Sequence, residues 1–283
     1  MKHPFAILLY LLALAALAGI LTLAIGSRVE AAAEKAAPLV IGETFTVDSK
    51  ILGETRRINV YAPPGYAEFP DLRVPVLYMP DGGIAEDFLH IAGLVQISVS
   101  NGTMRPFLLV GIENTQRRRD MTGPTQVESD KRIAPQVGGS VKFRQFIRDE
   151  LMPQVKARYR TTEERAIVGE SLAGLFVVET FLLEPDLFDT YIAFDPSLWW
   201  NNRKLVDDAP TLLRQRPKLE KTLYFASSDE KKLAEVAQQF AEILGKSAPP
   251  GLRWHYEKMP EEKHSTIYHP AALKAFRAVF KPR

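Results

Sequence analysis

The chain has 283 residues, 36 Lys+Arg against 34 Asp+Glu for a formal net charge of +2, and 46% apolar residues. That balance lacks the basic stripe of a nucleic-acid binder, so no nucleic-acid partner is expected, and the composition is globular rather than disordered. With no cysteine, a disulfide scaffold, a thiol nucleophile, a thiolate metal site and a lipidated N-terminal cysteine are all excluded.

Lys2 and His3 precede a 21-residue stretch, Phe5 to Ile25, that is apolar apart from Gly19 and Thr22. A cleaved secretory signal has an apolar core of ~7–15 residues and a small-residue cleavage site, which Ala31-Ala32-Ala33 would supply. A membrane span needs about 20 apolar residues, which the stretch also supplies. Residues 1–36 are therefore expected to be a signal peptide or a membrane anchor, and residues 37–283 a single catalytic domain. Either reading exports the domain, to the periplasm or the cell exterior, with residues 5–25 as its only membrane contact if uncleaved.

Eight short runs have the character of strands: Thr44–Asp48, Arg57–Tyr61, Val74–Met79, Phe107–Ile112, Ala166–Gly169, Thr190–Asp195, Thr222–Ala226 and Arg253–Met259. Several are nearly continuous apolar runs, as in parallel strands buried on both faces. Helical spacing falls between them, at 86–100, 141–159, 172–183, 231–244 and 271–280. Two leading strands followed by strand–helix alternation predict an α/β fold, a mostly parallel eight-stranded sheet with helices on both faces. Residues 114–139 are polar, carry Arg117-Arg118-Arg119 and read as a long functional loop.

The stretch Ala166-Ile167-Val168-Gly169-Glu170-Ser171-Leu172-Ala173-Gly174 holds the chemistry. An apolar strand runs into a serine flanked at two residues' distance by small residues, and a helix follows. This is the setting of a nucleophile elbow, in which a tight strand-to-helix turn lifts the hydroxyl above the sheet. A serine needs a general base. Of the five histidines, His264 lies in a polar turn after the last strand, where the α/β-hydrolase order of Ser, acid, His places it. The acid that orients the imidazole should end a strand between them; Asp229 is the first choice, with Glu230 and Asp195 as alternatives. Oxyanion donors are expected from the backbone of Leu172 and of Gly82 or Gly83, in the loop after the third strand. Trp199 and Trp200 are expected to wall an apolar substrate pocket, with a core anchor as the other reading for at least one of them.

The elbow, Leu175-Phe176, Pro196-Ser197-Leu198-Trp199-Trp200, Val110-Gly111-Ile112 and Arg119-Asp120 together resemble the esterase D / enterochelin-esterase-like family of α/β hydrolases. The resemblance covers about residues 40–280. It implies a serine esterase without metal or organic cofactor, acting on small acyl esters, siderophore lactones, or acyl-sugar and acyl-thiol bonds. It implies Ser171 as nucleophile and His264 as base, with Arg119 and Asp120 lining the approach. Glu170 stands where many members carry His, and Ala173 replaces Gly. The expected activity is an exported serine ester hydrolase working through an acyl-enzyme on a small-molecule ester. The alternatives are an acyltransferase with a sugar or alcohol acceptor, and a non-catalytic binding module on the same scaffold.

Overall fold

A computed structural model describes residues 36–282. The expected signal or anchor lies almost wholly outside the described residues. The chain divides into two units, Met1–Val40 and Ile41–Arg283. In the first, residues 36–40 are exposed and irregular. Among the described residues no helix is long and apolar enough to cross a membrane.

The second unit is built on eight strands: β1 (Glu43–Ser49), β2 (Glu54–Tyr61), β3 (Val74–Pro80), β4 (Leu108–Ile112), β5 (Thr161–Glu170), β6 (Thr190–Phe194), β7 (Thr222–Ser227) and β8 (Arg253–Lys258). They form one sheet in the order β1-β2-β4-β3-β5-β6-β7-β8. β2 pairs antiparallel with β1 and β4; all other pairings are parallel. All eight predicted strands are present. β5 begins five residues earlier than expected, because its polar first half is partly exposed and carries no apolar signal.

The main helices are α1 (Phe88–Ser100), α2 (Ser140–Phe146), α3 (Met152–Arg158), α4 (Leu172–Leu183), α5 (Lys204–Arg214), α6 (Lys231–Ser247) and α7 (Tyr268–Val279). Alternate side chains of the strands feed two cores. Tyr78, Ile167, Tyr191 and Phe225 pack with residues of α2 to α6. Leu77, Met79, Val168, Ile192 and Ala226 pack with α1 and α7 on the opposite face. Burying both faces explains the continuous apolar runs and the absence of a helical moment in α4, which is covered nearly all round.

Two departures from the predicted helices have local causes. The single helix expected at 141–159 is split by a π turn at Ile147–Leu151. Pro153, just beyond, has no N–H to give the carbonyl four residues earlier, and the helix widens there. Helix α5 was not foreseen; it contains Pro210 and follows three left-handed residues, Asn201, Asn202 and Arg203. The segment 114–139 has only two single-turn helices, Arg117–Asp120 and Glu128–Lys131.

The sheet changes direction of build at β3, which lies between β4 and β5. Ligands of open α/β sheets bind beyond the carboxyl ends of the strands at such a switch point. The loop after β3 is seated there by close backbone contact: a Cβ on Gly82 would lie 2.3 Å from Gly111 Cα and Ile112 N. Gly82→Ala is therefore expected to lower stability by about 1–3 kcal/mol or more. Gly93→Ala, on an exposed face of α1 with nothing within 4 Å of the added carbon, should raise it by about 0.5–1 kcal/mol. Urea unfolding of both variants checks the pair; a Gly82→Ala protein as stable as the parent would contradict the close approach.

Candidate active site

Strand β5 runs straight into the turn that carries Ser171. The serine has φ 60° and ψ −117°, a conformation rarely adopted by a residue with a side chain. The turn is tight because Gly169 approaches α4: a Cβ on it would lie 2.7 Å from Ala173 Cβ. Gly174, which the sequence pattern placed one position late, serves the packing of α4 on β6; its Cβ would meet Phe194 O and Pro196 Cα at 3.0 Å. Two backbone bonds fix the bend, Ser171 N–H to Phe194 O at 2.9 Å and Ser197 N–H to Ser171 O at 3.0 Å.

His264, in the loop between β8 and α7, places Nε2 3.1 Å from Ser171 Oγ. Its other nitrogen, Nδ1, lies 3.0 Å from Asp195 Oδ2. Asp195 follows the last residue of β6 with φ 40° and is fully buried. Its carboxylate also accepts the Ser228 N–H at 2.7 Å and the Ser228 hydroxyl at 2.5 Å. The structure thus brings Ser171, His264 and Asp195 into one hydrogen-bonded chain.

Asp229, the first-choice acid, does not reach the imidazole. It is exposed, pairs with the Lys263 ammonium, and donates its backbone N–H to Glu262 O. It anchors the loop that carries His264 without touching the ring. Glu230 is exposed at the start of α6 and faces His264 only at a distance. The expectation failed because Asp195 and Asp229 end neighbouring strands, and chain position does not reveal which turn aims its carboxylate inward. Ser228, which holds Asp195, carried no sequence signal beyond lying at the polar end of β7.

Glu170 supplies a second carboxylate. Its Oε1 is buried and lies 3.2 Å from His264 Nδ1. Burial pushes the Glu170 carboxyl up to about 8, opposed by the His264 and Arg117 charges and assisted by Asp195 and Asp81. The His264 imidazole pKa is raised above its usual value, first by the hydrogen bond the ring donates to Asp195 and further by the Glu170 carboxyl.

The loop after β3 is held by Asp81, which takes a bidentate bond from Arg117 at 2.6 and 2.8 Å and one from Asn114 Nδ2 at 2.5 Å. Gly82 N–H donates to Ile112 O at 3.0 Å, so this amide is engaged by the neighbouring strand and, unlike the expectation, is not free to meet an oxyanion. Gly83 N–H donates to Glu86 Oε2 at 2.7 Å, a side-chain oxygen that accepts from this amide at the rim of the site. Leu172, the first residue of α4, has an N–H without an intrahelical acceptor, as every helix start does. A cleft of about 530 Å³ opens beside this loop, lined by Arg57, Asn59, Gly83, Ile84 and Glu86 among others.

Three expected substrate contacts are corrected. Trp200 is buried and donates its indole N–H to Gly123 O at 2.9 Å; the cleft it borders, with Leu175, Glu179 and Leu205, is lined by neither Ser171 nor His264. Arg119 and Asp120 do not line the approach. Arg119 chelates Glu54 at 2.7 and 3.1 Å and bonds to Asp120, which is buried against Arg56. The ion network ties the long loop to β2, and an isolated arginine run gives no sign of such partners. Trp199 remains partly exposed, with the Lys232 ammonium 4.7 Å above its ring.

The Glu170 carboxyl keeps its proton in the fold at pH values where the unfolded chain has lost it. Its contribution to stability is full below about 4.5 and is lost as pH rises through about 8. Glu170→Gln, which cannot ionise, should raise the thermal midpoint relative to the parent more at pH 9 than at pH 5. An equal shift at both pH values would contradict the burial of an ionisable group there.

Residues 49–271 match the family model described as "Putative esterase". The chain is 27% identical over 256 residues to the ferri-bacillibactin esterase BesA of Bacillus subtilis (strain 168), covering 81% of this chain and 86% of that protein. An IroE-like serine hydrolase from Shewanella oneidensis is 31% identical with a TM-score of 0.75, covering 84% of this chain and 80% of that one. The enterobactin esterase FES from Shigella flexneri shares the fold, with a TM-score of 0.66 at 15% identity, covering 86% of this chain and 59% of that one. The eight-stranded α/β-hydrolase sheet and these matches agree: the chain belongs to the Esterase family, in its enterochelin-esterase-like branch, and is a serine ester hydrolase.

Proposed function

We propose that the protein hydrolyses a siderophore ester through an acyl-enzyme intermediate, with Ser171 as nucleophile, His264 as general base and Asp195 as the acid that steadies the imidazole. The observation that carries this reading is the position of one ring, with Nε2 3.1 Å from Ser171 Oγ and Nδ1 3.0 Å from Asp195 Oδ2. As Oγ attacks the ester carbonyl, its proton passes to His264 Nε2. The imidazolium is held by the buried Asp195 carboxylate, and then delivers the proton to the departing alkoxide. Water repeats the sequence to release the acid. The Leu172 N–H, at the positive end of α4, and the Gly83 N–H, once it exchanges Glu86 for substrate, are the donors assigned to the developing oxyanion.

The substrate class is supported by the relation to BesA, named for ferri-bacillibactin. Ferric iron in such a substrate is cargo and takes no part in the bond cleavage assigned to these residues. Trp199, partly exposed under the Lys232 ammonium and two residues from the Ser197 amide that grips the elbow, offers an apolar and cationic surface to an anionic aromatic acyl group. Export of the enzyme is supported by Lys2 and the Phe5–Ile25 stretch of the sequence alone.

Ser171→Ala should lower kcat on p-nitrophenyl butyrate and on a catecholate trilactone by about 10⁴-fold or more, with an unchanged thermal midpoint. Retained turnover would remove the nucleophile from the reading, and turnover of the simple ester alone would remove the siderophore. Asp229→Asn should stay within about twofold of the parent, since an exposed ion pair contributes little, whereas Asp195→Asn should lose at least about tenfold more. The reverse ranking would restore Asp229 as the acid. In a pH profile, kcat/KM should fall as pH drops and His264 takes up a proton. The midpoint should lie above the ordinary histidine value of about 6.5, because the Asp195 bond favours the protonated ring.

A further inference from the structure

We propose that Glu170 is a positioning residue for His264: a second carboxylate on the same imidazole nitrogen as Asp195, in reserve for the imidazolium. The inference rests on the reading of Ser171 and His264 given above.

The two carboxylates approach Nδ1 from different elements. Asp195 Oδ2 comes from the turn after β6, at 3.0 Å, and Glu170 Oε1 from the last residue of β5, at 3.2 Å. They are held differently. Asp195 is fixed by both the N–H and the hydroxyl of Ser228. Among the described residues, Glu170 Oε1 is buried with no accepted hydrogen bond, and the imidazole is the group it faces. An unpaired buried carboxyl is costly to keep, and this one lies within contact distance of the nitrogen whose proton must be held during catalysis.

The surrounding charges decide when Glu170 acts. His264, in the loop after β8, and Arg117, in the segment after β4, favour its ionised form. Asp195 after β6 and Asp81 after β3 oppose it. Tyr268, at the start of α7, faces the same cluster, is buried and has its phenol pKa pushed well up by that burial, and Asp87, before α1, acts on Tyr268 and Arg117. Asp195 is thus one of the charges that keeps Glu170 protonated. Loss of the Asp195 charge lets Glu170 ionise more readily, and the ionised form then stabilises the imidazolium in place of Asp195. Coupling of this kind gives the pair a shared titration rather than two independent ones.

Asp195→Asn, Glu170→Gln and the double variant, assayed with p-nitrophenyl butyrate from pH 6 to 10, test the proposal. Replacing a triad acid with its amide costs about 10⁴-fold in kcat where nothing substitutes for it. Here Asp195→Asn is expected to lose only about 10²-fold, with a residual kcat that climbs with pH as Glu170 ionises. The double variant should fall about 10²-fold further and lose the part of that climb that follows Glu170, keeping only the rise set by His264 itself. Equal kcat and equal pH profiles for Asp195→Asn and the double variant would overturn the reserve role. Should Asp195→Asn not fold, the titration of the His264 ring in Glu170→Gln, followed by NMR, decides: a lower imidazole pKa than in the parent is expected, and an unchanged one overturns the proposal. A purely structural Glu170 would shift the thermal midpoint and leave both readouts alone. A parent enzyme that turns over no ester would instead sink the functional reading on which the inference rests.

Discussion

Ser171 sits in a left-handed bend, φ 60° and ψ −117°, between a buried strand and a buried helix. A backbone conformation of that kind costs about 1–3 kcal/mol for a residue with a side chain and persists only where its surroundings over-determine it. Here they do. Gly169 lies so close to Ala173 that no other residue fits without movement, and the amide and carbonyl of Ser171 are tied to Phe194 and Ser197 beyond β6. The same ties that enforce the bend place β6 beside it, and β6 ends in Asp195. The elbow therefore fixes the hydroxyl and, through the neighbouring strand, the carboxylate that meets the imidazole from the other side.

The electrostatics around His264 follow from this convergence. Carboxyl ends of adjacent parallel strands bring acidic residues into one small volume: Asp81 after β3, Glu170 at the end of β5, Asp195 after β6. The fold manages the repulsion in three ways. Asp81 is neutralised by a bidentate Arg117. Asp195 is given two donors by Ser228. Glu170, without such donors, has its carboxyl pushed up to about 8 by its burial. An imidazole beside these groups gains a proton more easily than a free histidine, which suits a base that must hold a proton through the lifetime of a tetrahedral intermediate.

The long segment between β4 and α2 plays a different part from the one its sequence suggests. Its sequence reads as a long functional loop with Arg119 facing the approach. Of Arg117-Arg118-Arg119, only Arg118 is exposed; Arg117 is bound to Asp81 and Arg119 to Glu54 and Asp120. Arg56, on β2, completes the network from inside the sheet. The run fastens the start of the loop to the scaffold, and Gly138 and Gly139 at its far end bond back to Thr122 and Arg119, which is how a segment with little regular structure is held in place.

The sequence by itself determined the eight strands, the parallel sheet with helices on both faces, and the meeting of Ser171 with His264. Those features are written in local patterns: continuous apolar runs wherever a strand is covered twice, small residues wherever a turn is tight, a polar turn after the last strand. The carboxylates that reach the His264 ring, the ion network and the places of the two tryptophans were decided only in three dimensions. Asp195 and Asp229 both follow apolar strands and look alike along the chain; the left-handed turn at Asp195 aims one inward, while Lys263 holds the other at the surface. Trp199 and Trp200 are neighbours in sequence, yet one is fixed by a carbonyl in the interior and the other is partly exposed. Partners that come from residues 30 to 90 positions away leave no local trace, because the direction of a side chain is set by what the folded chain packs against it.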